Sequence, residues 1–371
     1  MGVGWGMRKE RSGRLLRTLS DDPDYASNSD FNTALDARGT RYLAGFRYHP
    51  SILLYRTDPD AYRVRLQQWE ARQRRGLETR VRRILSHDGQ NEARFNQLSR
   101  QVEGGHVVPF VGAGLSIPCG KKSWNDFLLA TARRAEMDEN AVSERLREGD
   151  HERVTDEIVA ILRDEVFNEQ VENEYGEPSA LRGAIVHLPG LHPPQIVTTN
   201  FDSLVEDSIT SAGMPPFTTA MGVQSRTLLQ AFARGERVLL KLHGDARDLA
   251  SRILTRGEYD GAYGKTLDFK KPLPNALDVV YSSRSFLFLG CSLNQDRTMQ
   301  CFRRIRQRRK ELQIPKHYAI LEAPVDTRAR LEREQFLAER NIFPIWYPCG
   351  EHDSAEDLLR LLALRRAEAE E

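Results

Sequence analysis

The sequence predicts an α/β protein: a parallel sheet with helices on both faces, preceded by an N-terminal helical extension. Three observations carry this reading. Short apolar runs rich in β-branched and aromatic residues recur from His106 onward. Segments with helical spacing lie between them. Several runs end in glycine or polar turns. Apolar strands that alternate with helices belong to a parallel sheet covered on both sides.

The elements follow in order. Residues 1–100 carry 19 Lys+Arg and 12 Asp+Glu, a net of +7, against −6 for residues 101–371. Residues 20–40 are polar and turn-rich, which predicts loose order. From about Pro59 to Gln101, Ala61, Val64, Leu66, Trp69, Leu77, Val81 and Ile84 recur at helical intervals. This predicts one or two amphipathic helices with a basic, wet face. The texture changes near Gly104-Gly105, so residues 1–104 are read as an extension and 105–371 as the α/β domain. Strands are expected at His106–Val111, Gln195–Thr199, Arg237–Leu242, Ser285–Gly290, His317–Leu321 and Ile342–Tyr347. Helices are expected near 124–136, 138–148, 151–172, 203–212, 225–234, 296–312, 326–340 and 353–369. No internal repeat is present.

Composition narrows the class. With 371 residues, 40% of them hydrophobic, the chain can bury a large core, and a net charge of +1 gives no global field for nucleic acid. No stretch approaches the roughly 18 apolar residues of a membrane span. The first residues, MGVGWGMRKERSG, lack an apolar leader, so a soluble cytoplasmic protein is expected. Cys119, Cys291, Cys301 and Cys349 form no C-x-x-C pair, so no zinc ribbon and no metal are expected.

The chemistry-bearing residues sit at strand ends, where an open α/β sheet places its ligand. Val111 is followed by Gly112-Ala113-Gly114-Leu115-Ser116. Such a turn lets backbone approach a pyrophosphate, and it equally suits a tight structural turn. Ile117 stands where the usual dinucleotide fingerprint has a third glycine. A second strand ends in Thr198-Thr199-Asn200-Phe201-Asp202. Asp202 or Ser203 suits a helix cap, which leaves Asn200 unexplained. A third ends in Leu242-His243-Gly244-Asp245, and a fourth in Gly290-Cys291-Ser292-Leu293-Asn294-Gln295-Asp296.

Taken in order, Gly112-Ala113-Gly114-x-Ser116, Thr199-Asn200-x-Asp202, His243-Gly244 and Gly290-x-Ser292-Leu293 resemble the motif series of the sirtuin superfamily. Ser123-Trp124, Leu188-Pro189, Leu254-Thr255 with Tyr259, Ile345-Trp346-Tyr347 and His352 fit the same branch, over about residues 105–365. The closer resemblance is to the sirtuin-like NAD hydrolases of bacterial antiphage defence. The paired C-x-x-C module of the deacylases is missing, and their Gln-Asn-Ile-Asp is here Thr199-Asn200-Phe201-Asp202.

The resemblance implies a Rossmann-like domain that takes NAD+ as substrate. It assigns Asn200 to orient the ribose hydroxyls and the attacking water. His243 accepts a proton, and Asp202 holds Asn200 or the ribose. Gly112, Ala113, Gly114 and Ser116 cradle the pyrophosphate, with Thr199 beside them, and Gly290 and Ser292 hold the adenosine side. Products would be nicotinamide and ADP-ribose, or a cyclised form. It further implies an NAD-depleting defence effector gated by assembly as a homo-oligomer, or by a separately encoded HerA-type ATPase or Argonaute-like partner. The stripe of Trp69, Leu77, Val81 and Ile84 has to be covered, either by the chain's own sirtuin-like domain or by a neighbouring copy, the docking favoured here. Two other classes stay open. One is a catalytically weak NAD-binding sensor. The other is a nucleic-acid-binding or nuclease component using Arg72, Arg74, Arg75, Arg80, Arg82, Arg83 and the run Arg303–Lys310, with direct nucleic-acid contact expected to be weak.

Overall fold

The computed structural model describes residues 22–370, apart from 44–45, 223–229, 232–233 and 235. Residues 1–21 and most of the helix expected at 225–234 lie outside the described residues. The chain divides into two compact units, Met1–Thr79 and Arg80–Glu371.

In the first unit, α1 (Pro23–Ala26) and α2 (Ser29–Asp36) occupy the stretch expected to be loose. A hairpin of β1 (Arg41–Leu43) and β2 (Phe46–Tyr48) follows, then α3 (Pro50–Thr57) and the long α4 (Pro59–Leu85), whose residues from Arg80 onward belong to the second unit. Order in the polar stretch has an identifiable cause. Asp22 caps α1 by accepting from Asp24 N, and Phe31 and Leu35 are buried with Tyr62 in an aromatic cluster that includes Tyr25, Tyr55 and Trp69. The Tyr62 hydroxyl donates to Asn32 Oδ1 at 2.6 Å. Rings of this size bury enough area to order a short segment that is otherwise polar.

The second unit holds the sheet. Its strands are β3 (Val107–Val111), β4 (Gln195–Thr198), β5 (Thr218–Met221), β6 (Val238–Lys241), β7 (Ser285–Leu289), β8 (His317–Glu322) and β9 (Ile342–Tyr347). They run parallel in the order β5-β6-β4-β3-β7-β8-β9. Setting β5 aside, this is the doubly wound order of dinucleotide-binding folds, with the reversal at β3. All six expected strands are present. The outer β5 was not anticipated, because its residues Thr218 and Thr219 are polar and exposed and give no apolar run.

Strands β3 and β7 are buried along their whole length. Phe110, Phe286, Phe288, Phe302 and Tyr281 interlock at the centre, with ring centroids 5.0–6.2 Å apart. The helices are α5 (Asn91–Glu103), α6 (Trp124–Arg134), α7 (Glu139–Arg147), α8 (His151–Leu162), α9 (Asp164–Val171), α10 (Leu204–Ser211), α11 (Arg256–Tyr263), α12 (Pro272–Ser283), α13 (Arg297–Arg308), α14 (Thr327–Ala338) and α15 (Asp353–Glu370). No helix of the described residues is long and apolar enough to cross a membrane.

The division between units falls earlier than the change of texture at Gly104-Gly105, because α5 belongs to the sheet. Asn91 is fully buried; its Nδ2 donates to Trp346 O and its Oδ1 accepts from Trp346 N, both at 2.8 Å. The apolar stripe finds cover within this chain. Trp69 lies against Phe31 in the first unit, while Val81 and Ile84 are buried in the second. Leu77 is buried as well, while Trp69 is only partly buried.

Asn91 completes the outer edge of β9. Replacing it with Ala leaves one buried carbonyl and one buried N–H without partners, at a cost of about 3 kcal/mol. The expected result for Asn91→Ala is a lower urea unfolding midpoint with an unchanged slope.

Candidate active site

A cavity of about 970 Å³ opens at the carboxyl ends of β3, β4, β6 and β7. It lies in the range that holds a nucleotide-sized ligand. Every residue assigned from the sequence lines it: Gly112, Ala113, Gly114, Ser116, Thr199, Asn200, Asp202, His243, Gly290 and Ser292. The insertion between β3 and β4, carrying α6 to α9, walls one side through Trp124, His151 and Tyr175. An apolar cluster that includes Phe127, Leu128, Ile158 and Phe167 holds this insertion, and Phe201, Ala246 and Leu254 tie it to the strand-end turns.

The glycines are required by packing. Gly112 N donates to Leu289 O and Gly114 N donates to Gly290 O, both at 2.9 Å. A Cβ at Gly112 would sit 2.7 Å from Gly290 O, and one at Gly114 would sit 2.7 Å from Gly290 Cα. Gly290 has φ +64, and a Cβ there would meet Leu115 N at 2.5 Å. The two turns thus pack backbone against backbone. The amides of Gly112, Gly114, Leu115 and Ser116 are taken by protein carbonyls. A ligand at this turn therefore meets a close-packed surface with most of its donors already engaged.

Ser116 joins this turn to that of β4. Its Oγ donates to Asp202 Oδ2 at 2.7 Å and accepts from Asn200 Nδ2 at 3.0 Å. Asn200 N donates to Thr198 Oγ1 at 3.0 Å, and Thr198 Oγ1 donates to Val111 O at 2.9 Å. Asp202 Oδ1 accepts from Leu204 N at 3.1 Å at the start of α10. Asp202 therefore serves both the helix start and the site network. Burial raises its carboxyl, opposed by the Ser116 hydroxyl, the Leu204 amide and the lysines at 241 and 121.

His243 follows β6. Burial lowers its imidazole to about 4, so the ring is neutral at physiological pH. Its Nε2 is buried without a protein partner, and its ring meets Tyr259 edge-on at 5.3 Å. Gly244 has φ +88, and a Cβ there would strike Ser251 O at 2.3 Å, so only glycine lets the chain turn behind the histidine.

Several site residues were not read from the sequence. His151 lines the cavity, and its Nε2 lies 2.6 Å from Asn125 Oδ1; both come from helix N-termini in the insertion, which no strand-end pattern marks. Arg297 pairs with Glu152 at 2.6 Å and Asp260 at 2.7 Å. Lys241 is fully buried beneath the β4 turn. Asp296, already part of the fourth strand-end motif, lines the cavity and caps α13 through Met299 N at 2.7 Å. Among the described residues, no group of three or more His, Cys, Asp or Glu gathers as a metal site.

Two consequences are measurable. Gly290→Ala adds a left-handed-region penalty and a backbone clash, so it should lower stability by about 3 kcal/mol or more in chemical denaturation. His243 has a depressed folded value, so the unfolded chain protonates first as pH falls. Its contribution to stability is full above about 6.5 and is lost between there and about 4. The unfolding midpoint should therefore drop more between pH 7.5 and pH 5 in the wild type than in His243→Gln.

Comparison with known proteins bears on the family. Residues 194–345 match the family described as SIR2-like domain. The NAD(+) hydrolase ThsA of Enterococcus faecium is 26% identical over 259 residues, which cover 67% of this chain and 48% of that protein. The NAD(+) hydrolase ThsA of Acinetobacter baumannii (strain 532279) is 26% identical over 243 residues, 61% of this chain and 44% of that protein. The chain spans about half the length of these curated relatives. By its sheet order, its glycine turns and this match, the second unit has a sirtuin-like, Rossmann-type fold.

Proposed function

We propose that this chain hydrolyses NAD+ at the nicotinamide–ribose bond, releasing nicotinamide and ADP-ribose. In the cell it would be an NAD-depleting effector of antiphage defence, gated by assembly or by a partner. The observation that carries this reading is the convergence of Asn200 and His243, from the ends of β4 and β6, on one cavity floored by the two glycine turns. The relatives named NAD(+) hydrolase support the same activity.

The residues suit the chemistry. Cleavage builds positive charge on the ribose while nicotinamide leaves as a neutral group with the bonding pair. The site therefore needs orientation and a base more than a strong acid. Asn200 is held by Ser116 and Thr198, so its carboxamide is fixed before substrate arrives. His243, neutral and with an Nε2 that has no protein hydrogen-bond partner, can take the proton of the attacking water or of a ribose hydroxyl. Asp202, buried and bonded to Ser116, keeps the network in register.

Nicotinamide release from NAD+ tests the proposal, under conditions where the wild type turns over. Asn200→Ala and His243→Ala should each lose more than about 100-fold in rate while keeping the wild-type unfolding midpoint within a few degrees. Near-wild-type turnover in either variant would show the assignment to be wrong.

A further inference from the structure

We infer that Lys241 is a positioning residue: its buried ammonium holds the turn that carries Asn200 in register with the turn that carries His243. The inference rests on the hydrolase reading above and adds a residue that does not itself reach the cavity.

Lys241 is the last residue of β6, and its side chain is completely buried. It lies two residues before His243. Its Nζ donates to Asp202 O at 2.8 Å and Phe201 O at 3.4 Å, both in the β4 turn. It also pairs with Asp245 Oδ2 at 2.5 Å, two residues beyond His243, and with Glu206 Oε1 at 3.3 Å on α10. One ammonium thus spans the backbone just past Asn200 and the side chain just past His243. Two backbone bonds run the same way: Leu242 N donates to Thr198 O at 2.8 Å, and Ala246 N donates to Phe201 O at 3.0 Å.

Burying an ammonium is unfavourable unless its partners compensate for lost water. The neighbours Leu239 and Leu240 show that this strand is otherwise filled by apolar side chains. What lysine alone adds here is a set of donors that reaches main-chain oxygens of one turn and a carboxylate of the other. Catalytic alignment is sensitive to such distances, and a 1 Å displacement costs on the order of 100-fold in rate.

The test separates positioning from plain stability. Lys241→Met should lower kcat for nicotinamide release by about 100-fold, with KM for NAD+ within about threefold of wild type. The triple variant Lys241→Met/Glu206→Gln/Asp245→Asn removes the buried ammonium together with the two partly exposed carboxylates that pair with it, so that no unpaired charge is left behind. With its unfolding midpoint back at the wild-type value, a persisting kcat loss supports the inference. Recovery of kcat together with the midpoint overturns it. Hydrogen exchange gives a readout that needs no turnover. In Lys241→Met, amides of 199–204 and 242–246 should exchange at least about tenfold faster while β3 and β7 stay protected. Unchanged exchange in both turns overturns the inference. A wild type that releases no nicotinamide sinks the hydrolase reading instead, and the exchange result then decides the role of Lys241.

Discussion

The structure depends on one close approach. The turns after β3 and β7 meet backbone to backbone, and Gly112, Gly114 and Gly290 leave no room there for a single Cβ. Because β3 is the central strand where the order reverses, that contact sets where the two halves of the sheet part. From it follow the position of Ser116 and, through the Ser116 hydroxyl, the positions of Asn200 and Asp202. Sterics at the glycines and hydrogen bonding at the serine therefore act in series.

Electrostatics divides the site into two parts. On the cavity side, His243 is kept neutral by burial without a carboxylate neighbour on its Nε2. Outside the cavity lining, Lys241, Glu206 and Asp245 concentrate charge. Glu206 is itself raised by burial, mainly opposed by the Lys241 charge. A neutral base above a fixed ionic girder is consistent with a reaction that needs a proton acceptor more than a proton donor.

Much of this was legible in the residues. The strands announced themselves because a parallel sheet buried on both faces demands unbroken apolar runs, as in Phe286-Leu287-Phe288-Leu289. The site residues were legible because they follow those runs directly. What escaped notice did so for physical reasons. Strand β5 is a polar edge whose pairing is supplied by β6. Helix α11 is short, and its one local signal is the Thr255–Glu258 capping box at its start. The order in residues 22–36 comes from Tyr62, Tyr55 and Trp69, which are distant in sequence. Lys241 looked like the end of a strand, since nothing local says that an ammonium there faces protein and not water. His151 and Asn125 meet only because α6 and α8 fold together.

The wall formed by α6 to α9 is fastened to the strand-end turns by hydrocarbon contact through Phe201, Ala246 and Leu254. Such fastening has a thermal character of its own. Hydrophobic association weakens on cooling and carries a large heat-capacity change, whereas the glycine contact beneath it is steric and nearly athermal. The two sides of the cavity therefore respond differently to temperature: the floor keeps its shape in the cold, while the wall is the part that loosens. The warm state of the cavity is therefore the tighter one.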